Sequence, residues 1–535
     1  MCSWKWARPS SPGRSSADPT WAQICSSTTG ERWLSRNRIV RPLDRVRWVV
    51  FISWGFKARR EYRRRLPLAC MAPRFLAPFR GTEIGPEARA SRRKRDWDRL
   101  LARSTAEPGV EMTPNADGDG ARTGGDVAGK EHGGASFDDG RVGVYVHLPF
   151  CERICPYCDF AVVPAKAFDR ELETRYVAAL RRELEARSRD FGGRPLASLY
   201  FGGGTPSLFR PDSIARLIEA VERAFPPTGR REEPIEITLE LNPGTLELAR
   251  LPAFRDAGID RLSIGIQSFD DGLLKRLGRA HRAILARRAL EAARAAGFDN
   301  LSIDLIFAGP GQTRSDLDRD LDEVLRWGPE HVSTYELTFE PGTPFGRALA
   351  SGRMSAFDEE VAADMIGQIE DRLGAAGFER YEISNHARPG FRSRHNARYW
   401  SRQAVLGLGM GAHSTEARAP RHPHGARRAN PRVLSDWFER VERDPAHVGT
   451  VESLPPPTAR GEAVFLALRR REGLVATDFA AEFGAPPRAY FESEIARNVA
   501  RGWLEEDVPA PGDLRLTAAG RLLADRVAAD FVSGA

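Results

Sequence analysis

The chain has 535 residues, of which 41% are hydrophobic and 29% charged, and it carries a formal net charge of +7. This length predicts two or three folded units with a sizeable core. Six cysteines in such a length exclude a disulfide scaffold. No apolar run approaches the roughly 18 residues that span a bilayer, and no continuous apolar segment near the start indicates a secretory signal. We therefore expect a cytoplasmic protein.

The positive charge is concentrated in the first quarter of the chain. Residues 1–140 hold 26 Lys and Arg against 16 Asp and Glu, a net of +10, whereas residues 141–535 hold 54 against 57, a net of −3. Basic runs such as Arg92–Arg95 lack helical or strand periodicity, which predicts a disordered leader and linker. Met71 and Met112 are alternative start positions. A basic arm that binds nucleic acid or an anionic surface is the other interpretation.

From Val142 onward, short β-rich runs alternate with amphipathic segments. The predicted strands are Val142–Leu148, Ser198–Phe201, Ile235–Leu241, Arg261–Ile266, Leu301–Phe307 and Val332–Leu337. The predicted helices between them include Arg170–Ser188, Pro211–Ala224, Ala283–Ala296 and Arg314–Trp327. This alternation predicts an α/β fold with a parallel sheet, and six repeats favour a barrel or partial barrel over a doubly wound sheet. Functional residues are expected at the carboxyl ends of the strands.

Three cysteines follow the first predicted strand directly. Cys151, Cys155 and Cys158 lie within eight residues and are the only cysteines after residue 140. Zinc would need a fourth ligand, and no His or Cys follows at finger-like spacing. A cubane iron–sulfur cluster held by three thiolates leaves one iron open for a substrate or cofactor. Three unlinked structural cysteines are the alternative.

A run of glycines, Gly202-Gly203-Gly204-Thr205-Pro206, follows the second predicted strand. Consecutive glycines allow the backbone to approach a ligand closely. Together with the Cys-x3-Cys-x2-Cys spacing, this run resembles the radical S-adenosylmethionine superfamily. The resemblance implies a 4Fe-4S cluster on Cys151, Cys155 and Cys158, whose fourth iron is chelated by S-adenosyl-L-methionine. It also implies a six-stranded partial (β/α) barrel of radical SAM type.

Further segments resemble the oxygen-independent coproporphyrinogen III oxidase family. They are Tyr145–Cys151, Glu240–Pro243, Leu262–Phe269, Leu277–His281, Asp304–Thr313 and Tyr335–Thr338. The resemblance implies that Tyr145 and Tyr157 lie beside the cluster and that Glu240 binds the ammonium of S-adenosylmethionine. It also implies that Gly203, Gly204 and Thr205 contact the methionine part of S-adenosylmethionine. Gln267, Arg279 and Asp304 are implied to contact its carboxylate or ribose, and Thr338 its adenine.

Two features separate this chain from the oxidases of that family. The oxidases carry a fourth cysteine two residues after the third, where this chain has Phe160. The segment His395-Asn-Ala-Arg-Tyr399-Trp400 resembles the signature of the haem chaperone branch. An imidazole beside two aromatic faces suits haem iron and a porphyrin, although a packed corner with a hydrogen-bonded His395 is the alternative. His147 is a competing haem ligand.

The resemblance therefore implies a protein that binds haem and transfers it to acceptor proteins. Radical decarboxylation of coproporphyrinogen III is the first alternative, and a radical enzyme for an unrelated substrate is the second. Enzymatic activity is left open, and coproporphyrinogen dehydrogenation is not expected. Haem and unidentified haem-accepting proteins are the expected partners, and any membrane association is expected to be peripheral.

The expected domain organisation has four parts. Residues 1–140 form the leader and linker, 141–345 the partial barrel, 346–454 an extension with the His395 motif, and 455–535 a winged-helix-like α+β domain. This tail reads as three short helices, a hairpin and a last helix. It holds 10 Lys and Arg against 12 Asp and Glu. A net charge of −2 disfavours a phosphate-facing surface, so no nucleic-acid partner is expected.

Overall fold

The computed structural model describes residues 138–226, 235–416 and 418–533. The predicted leader over residues 1–137 lies outside the described residues. Within the described part, one sheet of twelve strands forms the centre of the molecule, and two further sheets have two strands each. No helix in this part has the length and apolar character needed to cross a bilayer.

The centre of the large sheet is parallel and follows chain order. Its strands are β1 (Val142–Leu148), β4 (Leu196–Gly203), β5 (Glu236–Leu241), β6 (Arg261–Gln267), β7 (Leu301–Phe307) and β8 (His331–Glu336), after the short pair β2 (Phe150–Cys151) and β3 (Val163–Pro164). Each of the six pairs in parallel with the next. The six predicted strands are therefore confirmed, with bounds that differ by at most two residues.

Residues 346–454 continue the same sheet at both ends. They supply β9 (Glu379–Arg380), β10 (Asn385–Ala387), β11 (Val405–Leu408), β12 (His413–Glu416), β13 (Ala426–Ala429) and β14 (Thr450–Ser453). The sheet order is β14-β13-β12-β11-β1-β4-β5-β6-β7-β8-β10-β9. Strand β11 runs parallel to β1, whereas β10 is antiparallel to β8. The segment that carries the His395 motif thus packs into the barrel architecture.

Helices connect the strands and cover the sheet. They are α1 (Arg170–Arg187), α2 (Pro211–Ala224), α3 (Thr245–Asp256), α4 (Asp271–Arg276), α5 (Ala283–Ala295), α6 (Arg314–Trp327), α7 (Pro344–Ala350), α8 (Glu359–Ala375), α9 (Arg394–Trp400) and α10 (Leu434–Arg443). The Thr313 side chain accepts from the Asp316 N–H in a capping box that begins α6. In α2 the buried residues Ile214, Leu217, Ile218 and Val221 recur at helical spacing against the sheet.

The tail forms a second hydrophobic core. It contains α11 (Pro456–Ala467), α12 (Ala476–Phe483), α13 (Arg488–Ala500), the antiparallel pair β15 (Leu504–Glu506) and β16 (Leu514–Leu516), α14 (Ala518–Leu522) and α15 (Ala524–Ser533). Phe479, Phe491, Ile495 and Phe531 are buried in its centre. Three helices, a hairpin and a helical end occur in the order that the sequence predicts for a winged-helix-like unit.

Candidate functional site

The three cysteines follow the carboxyl end of β1: Cys151 ends the short strand β2, and Cys155 and Cys158 lie on the loop after it. Cys151 and Cys155 are buried, Cys158 is half-buried, and all three are free thiols. The Cys158 N–H donates to the Cys155 carbonyl at 3.1 Å, and the Phe345 N–H donates to the Pro156 carbonyl at 3.0 Å. The loop is thus fixed between the end of β1 and the start of α7.

Burial changes the acidity of two of these thiols. It raises the pKa of Cys151 to about 11 and that of Cys158 to about 12. Both are therefore protonated at neutral pH, and iron must displace their protons on binding. Within the described ranges, no three His, Cys, Asp or Glu side chains are grouped as ligands of a metal ion. The assignment of a cluster therefore rests on the motif and on the surroundings of the loop.

The glycine run ends β4 against the turn that follows β1. Gly203 has φ of 113°, and a Cβ there would lie 2.5 Å from the His147 ring. Only glycine adopts this conformation at so close an approach without strain. The Gly204 N–H donates to the Leu148 carbonyl at 2.9 Å, and the Thr205 N–H donates to the Phe150 carbonyl at 2.9 Å. These two hydrogen bonds therefore fix the end of β4 to the segment that carries the cysteines.

Glu240 places a half-buried carboxylate beside the glycine run. The Tyr200 hydroxyl donates to it at 2.9 Å, and the Gly203 N–H donates to it at 3.1 Å. Burial raises the pKa of Glu240 to about 7. Both of these donors are neutral, so a cationic ammonium would supply the charge that the carboxylate lacks.

Arg279 contacts both the cysteine segment and strand β6. Its Nη2 donates to the Gly265 carbonyl at 2.7 Å, and its Nη1 donates to Cys155 Sγ at 3.6 Å. Its Nε is buried and has no hydrogen-bond partner among the described residues. An unsatisfied buried guanidinium N–H fits a bound carboxylate. Glu240 and Arg279, which line one cavity with the cysteines, thus offer complementary groups to the ammonium and carboxylate of an amino acid.

Two further predicted residues face the same interior. The Asp304 carboxylate accepts from Ser263 Oγ at 2.8 Å and from Ser302 Oγ at 3.0 Å, and burial raises its pKa. Gln267 ends β6 with φ of 68°, a left-handed backbone that is uncommon outside glycine. Backbone strain of this kind concentrates at functional sites.

These side chains surround one cavity of about 240 Å³. The predicted site residues that line it are Tyr145, His147, Cys151, Cys155, Tyr157, Cys158, Gly203, Gly204, Glu240, Gln267, Arg279, Asp304 and His395. Thr205 lies beside it, because its hydroxyl donates to Cys151 Sγ at 3.8 Å. Thr338 is not among the lining residues, and its hydroxyl donates to the Glu336 carbonyl at 3.3 Å. Its contact with adenine stays a prediction.

Helix α9 closes the amino-terminal end of the barrel. The Glu236 carboxylate accepts from the N–H groups of Arg394 and His395 at 3.1 Å each. His395 Nδ1 lies 2.9 Å from Ser198 Oγ, and Nε2 lies 3.3 Å from the Tyr399 hydroxyl. Burial lowers the pKa of His395 to about 3, so its ring is neutral. His395 and the cysteines therefore border the same cavity from opposite ends.

Trp400 does not line this cavity, and its contact with a porphyrin stays a prediction. It follows Tyr399 by one residue, which turns its side chain about 100° around the helix. Trp400 is buried against Phe465, Leu466 and Ala528 of the tail. Trp400 therefore joins the barrel to the second hydrophobic core.

His147 is also fixed by its neighbours. Its Nε2 lies 2.8 Å from the Ala161 carbonyl, and its Nδ1 lies 3.0 Å from the Tyr145 hydroxyl. The carbonyl can only accept, so Nε2 carries the proton and Nδ1 accepts from the tyrosine. Burial lowers the pKa of His147 to about 4. Phe160, two residues after Cys158, lines the cavity nearby.

Sequence reasoning missed several lining residues, among them Tyr200 and Asn242. Both lie two residues from a residue that the sequence did single out, Gly202 in the first case and Glu240 in the second. Since side chains in a strand alternate between its faces, this spacing places them on the same side. The alternation was therefore the signal that could have found them.

Comparison with known proteins agrees with this geometry. The family model described as the radical SAM superfamily matches residues 145–324, and the HemN C-terminal domain matches residues 454–523. The solved structure titled "Coproporphyrinogen III oxidase (HemN) from Escherichia coli is a Radical SAM enzyme" aligns with a TM-score of 0.62 at 22% identity and covers 74% of this chain and 90% of that one. The fold is thus that of a radical SAM protein.

Similarity to curated proteins identifies the family within this superfamily. The protein named Heme chaperone HemW of Bacillus subtilis (strain 168) is 32% identical over 396 residues, which are 72% of this chain and 98% of that protein. Heme chaperone HemW of Mycobacterium tuberculosis (strain ATCC 25618 / H37Rv) is 34% identical over 390 residues, 72% of this chain and 93% of that protein. The chain belongs to the HemW family of radical SAM proteins.

Proposed function

We propose that this chain is a haem chaperone, which binds haem and transfers it to acceptor proteins in the cytoplasm. The observation that carries the proposal is the match to relatives named Heme chaperone HemW over almost their whole length. Phe160 supports it, because an apolar ring stands where the oxidases of the wider family have a further thiol. The resident cofactors are a 4Fe-4S cluster and S-adenosylmethionine, which the radical SAM family implies.

The residues around the cavity fit both cofactors. Cys151, Cys155 and Cys158 would hold the cluster, which supplies one-electron chemistry and an open iron when bound. Glu240 would hold the ammonium of S-adenosylmethionine, and Arg279 its carboxylate. The fit rests on the two neutral donors of the half-buried Glu240 carboxylate and on the unpartnered Arg279 Nε. Gln267 and Asp304 would bind the ribose.

Haem is the proposed cargo, and His395 is the preferred candidate for its axial ligand. Its Nε2 makes the longer of its two bonds, 3.3 Å to the Tyr399 hydroxyl, so this nitrogen is released at the smaller cost. His147 would have to give up bonds of 2.8 and 3.0 Å. Tyr399, one helical turn from His395, also borders the cavity and offers an aromatic face.

A pair of assays tests the proposal. The anaerobically purified full chain is titrated with haem, and the same preparation is incubated with coproporphyrinogen III, S-adenosylmethionine and a reductant. We expect saturable haem binding at one haem per chain and no protoporphyrinogen IX. Multiple turnovers to protoporphyrinogen IX would overturn the chaperone proposal in favour of the oxidase alternative. Delivery of haem is tested by mixing the haem-loaded chain with an apo-haem protein and following the spectrum of that acceptor.

A further inference from the structure

Two of the three cysteine sulfurs are joined by a chain of hydrogen bonds that runs through Asn242. At one end, Thr205 Oγ1 donates to Cys151 Sγ at 3.8 Å. At the other, Arg279 Nη1 donates to Cys155 Sγ at 3.6 Å. Asn242 connects the two ends, since its Nδ2 donates to Thr205 Oγ1 at 2.8 Å and its Oδ1 accepts from Arg279 Nη2.

The chemistry of the side chains fixes the direction of this chain. A guanidinium can only donate, so the amide oxygen of Asn242 must face Arg279. The amide NH₂ then faces Thr205, whose hydroxyl accepts that bond and turns its own proton towards Cys151. If the amide were rotated, its NH₂ would face the guanidinium, and two donors would lie opposite each other. Asn242 therefore orients a hydroxyl donor at one sulfur while it holds a cationic donor beside the other.

The backbone leaves room for this arrangement at Gly265 of β6. A Cβ at Gly265 would lie 2.8 Å from Asn242 Oδ1 and 3.3 Å from Arg279 Nη2. The Gly265 carbonyl accepts from Arg279 Nη2 at 2.7 Å. The strand thus places the guanidinium between a carbonyl and the amide oxygen, and the remaining Nη1 points at Cys155.

We propose that Asn242 is a positioning residue that raises the reduction potential of the cluster through Thr205 and Arg279. Reduction adds negative charge to the cluster and its thiolates. Hydrogen bonds to the sulfurs stabilise that charge, so the reduced form gains more than the oxidised form. The proposal rests on the proposed function in one respect, namely that Cys151, Cys155 and Cys158 hold the cluster.

The experiment is an anaerobic redox titration of the reconstituted full chain, followed by electron paramagnetic resonance of the reduced cluster. Asn242→Ala should lower the ratio of reduced to oxidised cluster at a fixed potential about tenfold, which is a shift of about 59 mV for a one-electron couple. Thr205→Val should shift the potential in the same direction. In the Thr205→Val background, Asn242→Ala should shift the potential by less than it does in the parent, because the hydrogen bond from Thr205 to Cys151 is already lost.

Asn396→Ala is the matched control, since Asn396 lines the same cavity but is not part of the chain of bonds. It should leave the potential unchanged. Iron and sulfide content of each variant are measured first, and Asn242→Ser replaces Asn242→Ala if that variant loses its cluster. An unshifted potential in a fully loaded Asn242 variant would overturn the inference. A parent chain that binds no cluster would instead overturn the cofactor part of the proposed function.

Discussion

The backbone N–H of Gly203 donates to the carboxylate of Glu240 at 3.1 Å. These residues lie near the carboxyl ends of the adjacent parallel strands β4 and β5. The bond joins the glycine run to the carboxylate that we assign to the ammonium of S-adenosylmethionine. It also brings two motifs that are 37 residues apart in sequence to one place.

Binding of S-adenosylmethionine should depend on the ionisation of Glu240. Burial raises the pKa of Glu240 to about 7, and only the ionised carboxylate attracts an ammonium. Affinity should therefore be full above pH 7 and fall as the pH drops through 7, approaching tenfold per unit well below it. Equilibrium dialysis of the cluster-loaded chain between about pH 5.5 and 8 measures this dependence.

The control for that measurement is Glu240→Gln. This variant should bind more weakly above pH 7 and show no pH dependence over the same window. Iron content is checked at each pH so that loss of the cluster is not read as loss of binding. An unchanged pH dependence in Glu240→Gln would assign the titrating group elsewhere.

Loss of one thiol from the loop should abolish the cluster. Cys155→Ser leaves two thiolates where three are needed for a site with one open iron. We expect the iron and sulfide content after anaerobic reconstitution to fall to background. Cys70→Ser, which changes a cysteine outside the motif, should retain a full cluster. A Cys155→Ser protein with four irons per chain would contradict the assignment.

The haem spectrum should report on His395. Replacing this residue with Ala removes the proposed axial imidazole, so haem binding should weaken or the Soret band should shift. The iron–sulfur content should stay unchanged, because the cysteines lie at the other end of the cavity. Tyr399→Phe should keep the haem spectrum, since it removes the hydroxyl beside Nε2 but leaves the imidazole. An unaltered spectrum in His395→Ala would transfer the assignment to His147.

A methyl group at Gly203 should destabilise the fold. The new Cβ would meet the His147 ring at 2.5 Å, and the backbone has φ of 113°. Gly203→Ala should lower the free energy of unfolding by about 2 kcal/mol or more. Gly367→Ala is the matched control, because Gly367 lies inside α8 and a Cβ added there would have no atom within 4 Å. It should raise stability by about 0.5–1 kcal/mol. Chemical denaturation compares the two.

The six parallel strands could be predicted from the sequence because each is a short, apolar run bounded by amphipathic segments. The predicted bounds of β1 and β7 agree with the structure. Apolar runs of this kind are buried on both faces of a parallel sheet, so their limits follow from local composition. The cysteine segment and the glycine run could also be predicted, because each is contiguous in the chain.

The tertiary structure alone decided which polar groups meet and which way they face. Spacing in the chain does not show that Ser198 and Tyr399 enclose His395, or that Trp400 turns away to the tail. Nor does it show that Asn242 joins Thr205 to Arg279. These contacts join side chains from different strands and helices. They depend on the register of the sheet and the rotation of each helix, which only packing of the whole core fixes.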